Sequence, residues 1–221
     1  MHYVYTKDPI SAAAEHISAT IKENLSANQK VLWLLSGGSG IQVVLQAAKH
    51  LQNIDLTNLS VTLTDERYGP FNHPNENWKQ LLDQGFVLPG ANLYRPLINT
   101  SRTTTTDQFN AWISQKITDA DYTIGLFGIG TDGHTAGIKP YSDAANSNTW
   151  AESFTGNDFE RITITPFTIG QLDEVVIQAA GTDKRAALQQ LLHQAVSIPE
   201  QPAQILKTIT KCTLYTDNEE L

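Results

Sequence analysis

The stretch VLWLLSGGSGIQVVLQAAKHL, Val31 to Leu51, carries the fold in miniature. Five consecutive apolar residues, Val31 to Leu35, suit a short strand covered on both faces, because a half-exposed strand would alternate apolar and polar. All five of the next residues are Ser or Gly, and Ile41 onward has apolar residues at helical spacing. The segment therefore reads as strand, glycine loop, helix.

The same grammar extends in both directions. Upstream, Ile10, Ala13, Ile17, Ile21 and Leu25 recur at helical spacing behind Pro9, which predicts an amphipathic helix over roughly residues 9 to 27. Downstream, LSVTLT (59–64) reads as a strand followed by a polar loop, and DYTIGLFG (121–128) as another strand. RITITP (161–166) alternates as a half-exposed strand would, and DEVVIQAAG (173–181) is a strand ending in glycine. TDKRAALQQLLHQA (182–195) reads as a helix with Thr182 or Asp183 near its cap, and KCTLYTD (211–217) as a last strand. TSRTTTTDQ (100–108) is a Ser/Thr-rich patch suited to a loop or helix start. Strands alternating with helices predict a three-layer, Rossmann-like α/β fold, a mostly parallel sheet flanked by helices, taken here as one domain over residues 1–221. In such sheets ligands bind beyond the carboxyl ends of the strands, where the glycine-bearing loops fall.

Composition narrows the function. The 221 residues are 40% hydrophobic and carry a formal net charge of −8. Nucleic acid and anionic membranes, which are bound through clustered Lys and Arg, are poor partners for such a chain. An anionic ligand would have to be held by local donors. Cys212 is the only cysteine, which excludes an intramolecular disulfide and zinc sites built on several thiolates. Residues 1–25 lack the apolar core of a secretory signal, and no apolar run reaches the roughly 20 residues of a membrane span, so a cytoplasmic protein is expected.

Three loops hold the candidate chemistry. In SGGSG, Ser36, Gly37, Gly38 and Ser39 combine hydroxyls, close backbone approach and a following helix N-terminus, a combination suited to phosphate. The loop could equally be a tight turn without a ligand. It lacks the Walker and dinucleotide spacings, so neither ATP nor NAD is implied. TDERYGP places Asp65, Glu66 and Arg67 at one strand end, where the Arg67 fork could clamp an anion with a carboxylate beside it holding the fork. Asn77 reads as a turn or capping residue as readily as a ligand contact. GIGTDGHTAG frees the backbone with four glycines and presents His134, the side chain suited to proton transfer near neutral pH, with Asp132 close enough to orient it. Lys184, at a predicted helix start, is a candidate phosphate contact. The other histidines, His2, His16, His50, His73 and His193, have no comparable setting and receive no role.

SGGS, DER, NEN, GIGTDGHTA and GTDKRAAL, in this order from residue 36 to 188, resemble the 6-phosphogluconolactonase family. The resemblance implies a glucosamine-6-phosphate isomerase/deaminase-like fold and hydrolysis of 6-phospho-D-glucono-1,5-lactone, a sugar-phosphate lactone of the oxidative pentose phosphate pathway. It implies no metal and no organic cofactor, and a monomer or homodimer. Carried over by motif, His134 is the water-activating base, Asp132 its nearby acid and Arg67 the arginine at the reacting lactone. Lys184 and the Ser36–Ser39 loop grip the phosphate, with Asp65 and Asn77 in the same binding set. Three departures flank these residues: Gly40 and Ile41 follow SGGS, Gly137, Ile138 and Lys139 stand where the family usually has SLF, and Glu76, Asn77 and Trp78 replace the usual SNY. Two rival readings are a glucosamine-6-phosphate deaminase, whose loop continues into an acidic residue that Ile138, Lys139 and Pro140 do not supply, and a non-catalytic sugar-phosphate sensor.

Overall fold

A computed structural model describes every residue from Met1 to Leu221. In chain order the elements are β1 (His2–Tyr5), α1 (Pro9–Ser26), β2 (Val31–Leu35), α2 (Ile41–His50), β3 (Leu59–Leu63), β4 (Asp65–Arg67), α3 (Asn77–Asp83) and β5 (Asn92–Leu93). They continue as α4 (Arg102–Asp119), β6 (Tyr122–Phe127), β7 (Ala151–Thr155), β8 (Glu160–Ile164), α5 (Pro166–Ile169), β9 (Glu174–Gln178), α6 (Arg185–His193) and β10 (Lys211–Thr216).

Seven strands form one sheet in the order β1-β10-β9-β6-β2-β3-β5, every pair parallel. The expected parallel α/β architecture is therefore the observed one. Its two faces explain the continuous apolar strands. In β2, Leu32 and Leu34 join one core with Phe109 and Ile113 of α4 and Leu188 and Leu191 of α6. Val31, Trp33 and Leu35 point into the other core, with Ala13, Ile17 and Ile21 of α1 and Val43, Val44 and Ala47 of α2. No helix is long and apolar enough to cross a membrane.

A second sheet, β4-β8-β7, is antiparallel and was only partly legible. DER (65–67) is not a polar loop but the short strand β4. RITI (161–164) is not half-exposed: Arg161 to Ile164 are all buried, because Ile162 and Ile164 enter the α4/α6-side core while Thr163 packs beneath the site. Residues 182–195 also divide, into a single 3₁₀ turn (Thr182–Lys184) and then α6, whose cap position is Lys184 with no side-chain cap bond. The Ser/Thr patch is a helix start, with Ser101 accepting a hydrogen bond from the Thr104 N–H ahead of α4.

The strand order places the site. After β2 the chain builds outward through β3 and β5 on one side, and then returns to β6 on the other. The carboxyl ends of β2 and β6 therefore face a topological switch point, where the connecting loops diverge and leave a crevice. The two loops at that crevice are Ser36–Ser39 and the segment from Gly128 to Ala136.

Candidate active site

At the switch point lies a cleft of about 280 Å³. Nine of the ten candidate residues line it: Ser36, Gly37, Gly38, Ser39, Asp65, Arg67, Asn77, His134 and Lys184. The tenth, Asp132, sits beside His134 and lines an adjoining groove. Residues separated by almost 150 positions converge because the segments that follow the carboxyl ends of β2, β3, β6 and β9 meet here, with Asn77 brought back at the start of α3 by its bonds to Glu66 and the Asp65 carbonyl.

The histidine loop is held from several directions. The Gly130 N–H donates to the His134 carbonyl at 2.9 Å and the Gly133 N–H to the Gly130 carbonyl at 2.9 Å, closing a tight turn. The Thr135 hydroxyl donates to the Gly128 carbonyl, and the Gly137 N–H donates to the Thr163 hydroxyl of β8 at 3.0 Å. Ala136 takes φ = 49°, a left-handed conformation uncommon outside glycine. Strain of that kind survives only where the surroundings over-determine the backbone.

Within this frame the Asp132 carboxylate meets His134 twice, at the ring Nδ1 and at the backbone N–H, the latter at 3.2 Å. A carboxylate has only acceptors, so the ring contact requires a proton on Nδ1 and leaves Nε2 with the lone pair. Partial burial works to raise the Asp132 carboxyl, but the hydrogen bonds and charge of His134 and the charge of Lys139 outweigh it and hold it well below the usual carboxylate range. Asp132 thus stays ionised beside a ring whose free nitrogen can accept a proton.

Arginines form the other half of the site. Arg67 donates through Nη1 to the Asn75 carbonyl at 2.9 Å, and Arg161 is paired with Asp158 at 2.6 Å and with Asp65 at 3.6 Å. The two guanidiniums share Phe159, lying 5.3 and 5.5 Å from its ring centroid. In both, the buried Nε has no hydrogen-bond partner within the protein. Buried donors of this kind are costly unless something satisfies them, so the pair is suited to an anion entering the cleft.

Neither carboxylate beside Arg67 holds its fork: Asp65 pairs with Arg161, and Glu66 faces backbone N–H groups. Glu66 is completely buried, and its oxygens accept from the backbone N–H groups of Arg67, Asn77 and Trp78 at 2.8, 2.7 and 3.0 Å. It caps the start of α3 and so fixes Asn77, whose Nδ2 donates to the Asp65 carbonyl at 3.0 Å. Asn77 in turn supports the glycine loop: a Cβ on Gly37 would stand 2.2 Å from its Oδ1, so only glycine fits there.

The family model described as glucosamine-6-phosphate isomerases/6-phosphogluconolactonase matches residues 6–215. The chain belongs to this family. The 6-phosphogluconolactonase of Mycobacterium leprae is 26% identical over 97% of this chain and 93% of its own length, and that of Borreliella burgdorferi is 29% identical over 71% of each. The crystal structure of a 6-phosphogluconolactonase from Thermotoga maritima superimposes with a TM-score of 0.81 at 18% identity, covering 97% of both chains. A monomeric glucosamine-6-phosphate deaminase gives 0.83 at 22% identity, covering 99% of this chain and 98% of its own. At these identities the superpositions establish the common fold.

Placed in the family frame, the residues that the sequence left out come from two places. Asp158, Phe159 and Arg161 arrive from β8 and the turn before it, joined to the cleft only by the pairing of β8 with β4, in which Arg67 stands opposite Arg161. Lys139, noted in the sequence only as a departure, places its Nζ 3.2 Å from Asp132 Oδ2 and 3.1 Å from His134 Nδ1. Four cationic side chains, Arg67, Lys139, Arg161 and Lys184, therefore line the cleft of a protein whose overall charge is −8.

Proposed function

We propose that this protein hydrolyses 6-phospho-D-glucono-1,5-lactone to 6-phospho-D-gluconate, as a cytoplasmic enzyme of the oxidative pentose phosphate pathway. The observation that carries the reading is the Asp132–His134 pair at one cleft with Arg67, Arg161 and Lys184. A base without an anion site would not select a phosphorylated lactone, and an anion site without a base would only bind it.

In this reading the phosphate rests on the Ser36–Ser39 loop, at the approach to α2, and on Lys184. Neutral His134 takes a proton from water through Nε2 as the water oxygen bonds to C1. Arg67 is placed to balance the charge that develops on the carbonyl oxygen. As the bond from C1 to the ring oxygen breaks, the imidazolium returns its proton to that oxygen, and the new carboxylic acid ionises. Positioned proton transfer of this kind is worth about 10²–10⁴ in rate.

The test generates the lactone in situ with glucose-6-phosphate dehydrogenase and follows 6-phosphogluconate against the spontaneous rate. Acceleration by the wild type that disappears in His134→Ala is expected. A folded wild type that gives no acceleration overturns the reading, and binding of 6-phosphogluconate without turnover would favour a sensor.

A further inference from the structure

Lys139 is the one cation at the site that touches the base rather than the anion-binding arginines. Its side chain is largely covered, 28% exposed, and lies between the cleft and the adjoining groove. We propose that Lys139 is a positioning residue that fixes the Asp132 carboxylate, and through it the proton of His134 on Nδ1, for the lactone hydrolysis proposed above.

The geometry supplies the argument. Asp132 is 43% exposed on a glycine-flanked turn, and its one other side-chain partner is His134. A carboxylate held at one oxygen can rotate about its side-chain bonds, and if it leaves Nδ1 the ring is free to carry its proton on Nε2. That tautomer has no lone pair facing the reaction. Lys139 holds the second oxygen, Oδ2, at 3.2 Å, which pins the carboxylate at both ends.

Lys139 also cannot substitute for Asp132. An ammonium has only donors, so at 3.1 Å from Nδ1 it could bond to that nitrogen only after the nitrogen lost its proton. With Asp132 intact the lysine secures the productive tautomer; with Asp132 gone it would secure the unproductive one. The sign of its contribution therefore depends on Asp132, which a purely structural lysine would not show.

Three variants in the full-length protein test this: Lys139→Met, Lys139→Arg, and Lys139→Met combined with Asp132→Asn. The expectation is a fall in kcat of about 10-fold in Lys139→Met with KM little changed, part of the ~10²–10⁴ available to proton transfer. Lys139→Arg should recover most of the loss. In the Asp132→Asn background, removing Lys139 should cost nothing or raise activity, a non-additivity expected only of coupled residues. Nitrogen-15 NMR of His134 reads the tautomer without turnover: the wild type should show the proton on Nδ1, and Lys139→Met a mixture. An unaltered tautomer with unaltered kcat in folded Lys139→Met overturns the proposal even if lactonase activity is confirmed. Absence of lactonase activity in the wild type overturns the functional reading instead, and leaves the tautomer measurement to decide the role of Lys139.

Discussion

Gly130 and His134 are packed so closely that a Cβ on the glycine would stand 2.0 Å from the imidazole Nδ1 and 2.6 Å from Asp132 Oδ1. No side chain fits between them, so the glycine is what permits the carboxylate and the ring to meet. Gly130→Ala should therefore displace the ring without touching the core. The expected result is a loss in kcat of at least about 100-fold, the lower end of what positioned proton transfer contributes, with a thermal transition close to that of the wild type. Steady-state kinetics beside a melting curve check it; an alanine variant with full activity would show that the pair has no part in the reaction.

Lys184 stands in a different relation to the chemistry. It follows β9 on the 3₁₀ turn, and its nearest charge is Asp183 at 3.6 Å, so the ammonium remains available to the cleft. A contact made equally in the ground and transition states changes KM and spares kcat. Lys184→Ala should raise KM about 10- to 100-fold, the range of a charge-assisted hydrogen bond of ~1.5–3 kcal/mol, with kcat within a few-fold. A drop in kcat at constant KM would move Lys184 out of the phosphate grip and into the reacting centre.

Much of this was readable in the chain because it is local. The five apolar residues of β2 announce burial on both faces, and the distribution of Leu32 and Leu34 to one core and Val31, Trp33 and Leu35 to the other shows why. Asp132 and His134 were legible for the same reason, since a two-residue spacing in a glycine turn brings them together. Arg161 was not, because its place in the cleft depends on an antiparallel pairing across 94 residues, Arg67 with Arg161, that no local pattern encodes. Proximity in the chain was a poor guide to what holds Arg67, as Glu66 shows. Its neighbour in sequence is Arg67, but backbone N–H groups of α3 reach its carboxyl first, and side chains on successive strand residues point to opposite faces.

Glu66 makes stability depend on pH. Burial pushes its carboxyl up to about 8 from a usual 4.5, against the lowering effect of the Trp78, Asn77 and Arg67 N–H groups, and the charge of Asp65 adds to the rise. A folded value above the unfolded one means that the contribution to stability is complete below about 4.5 and is lost as pH rises through about 8. Each unit of difference corresponds to roughly 1.4 kcal/mol. Denaturation of the wild type and Glu66→Gln across this window should show the wild type losing stability relative to the variant as pH rises. A constant difference would mean that the buried carboxyl is ionised throughout.

Glu174 should respond in the opposite direction, at the amino end of β9 and away from the cleft. His16 Nε2 and the Tyr122 hydroxyl each lie 2.6 Å from one of its oxygens, and His16 Nδ1 lies 2.9 Å from the Tyr215 hydroxyl. This network ties α1 to the sheet and gives His16 a structural place that its sequence setting did not reveal. Burial works to raise the Glu174 carboxyl, but the hydrogen bonds of His16 and Tyr122 and the charges of His16 and Lys211 bring it below its usual value. Its contribution is therefore present above the ordinary carboxylate range and lost as pH falls through the lowered folded value. Glu174→Gln should cost ~1–3 kcal/mol near neutrality, the scale of hydrogen bonds to a buried charged group, and the gap to the wild type should narrow on acidification while kcat stays unchanged. Equal stability of the two proteins at neutral pH would show that the network carries no net stabilisation, and a fall in kcat would show that the anchoring of α1 reaches the cleft.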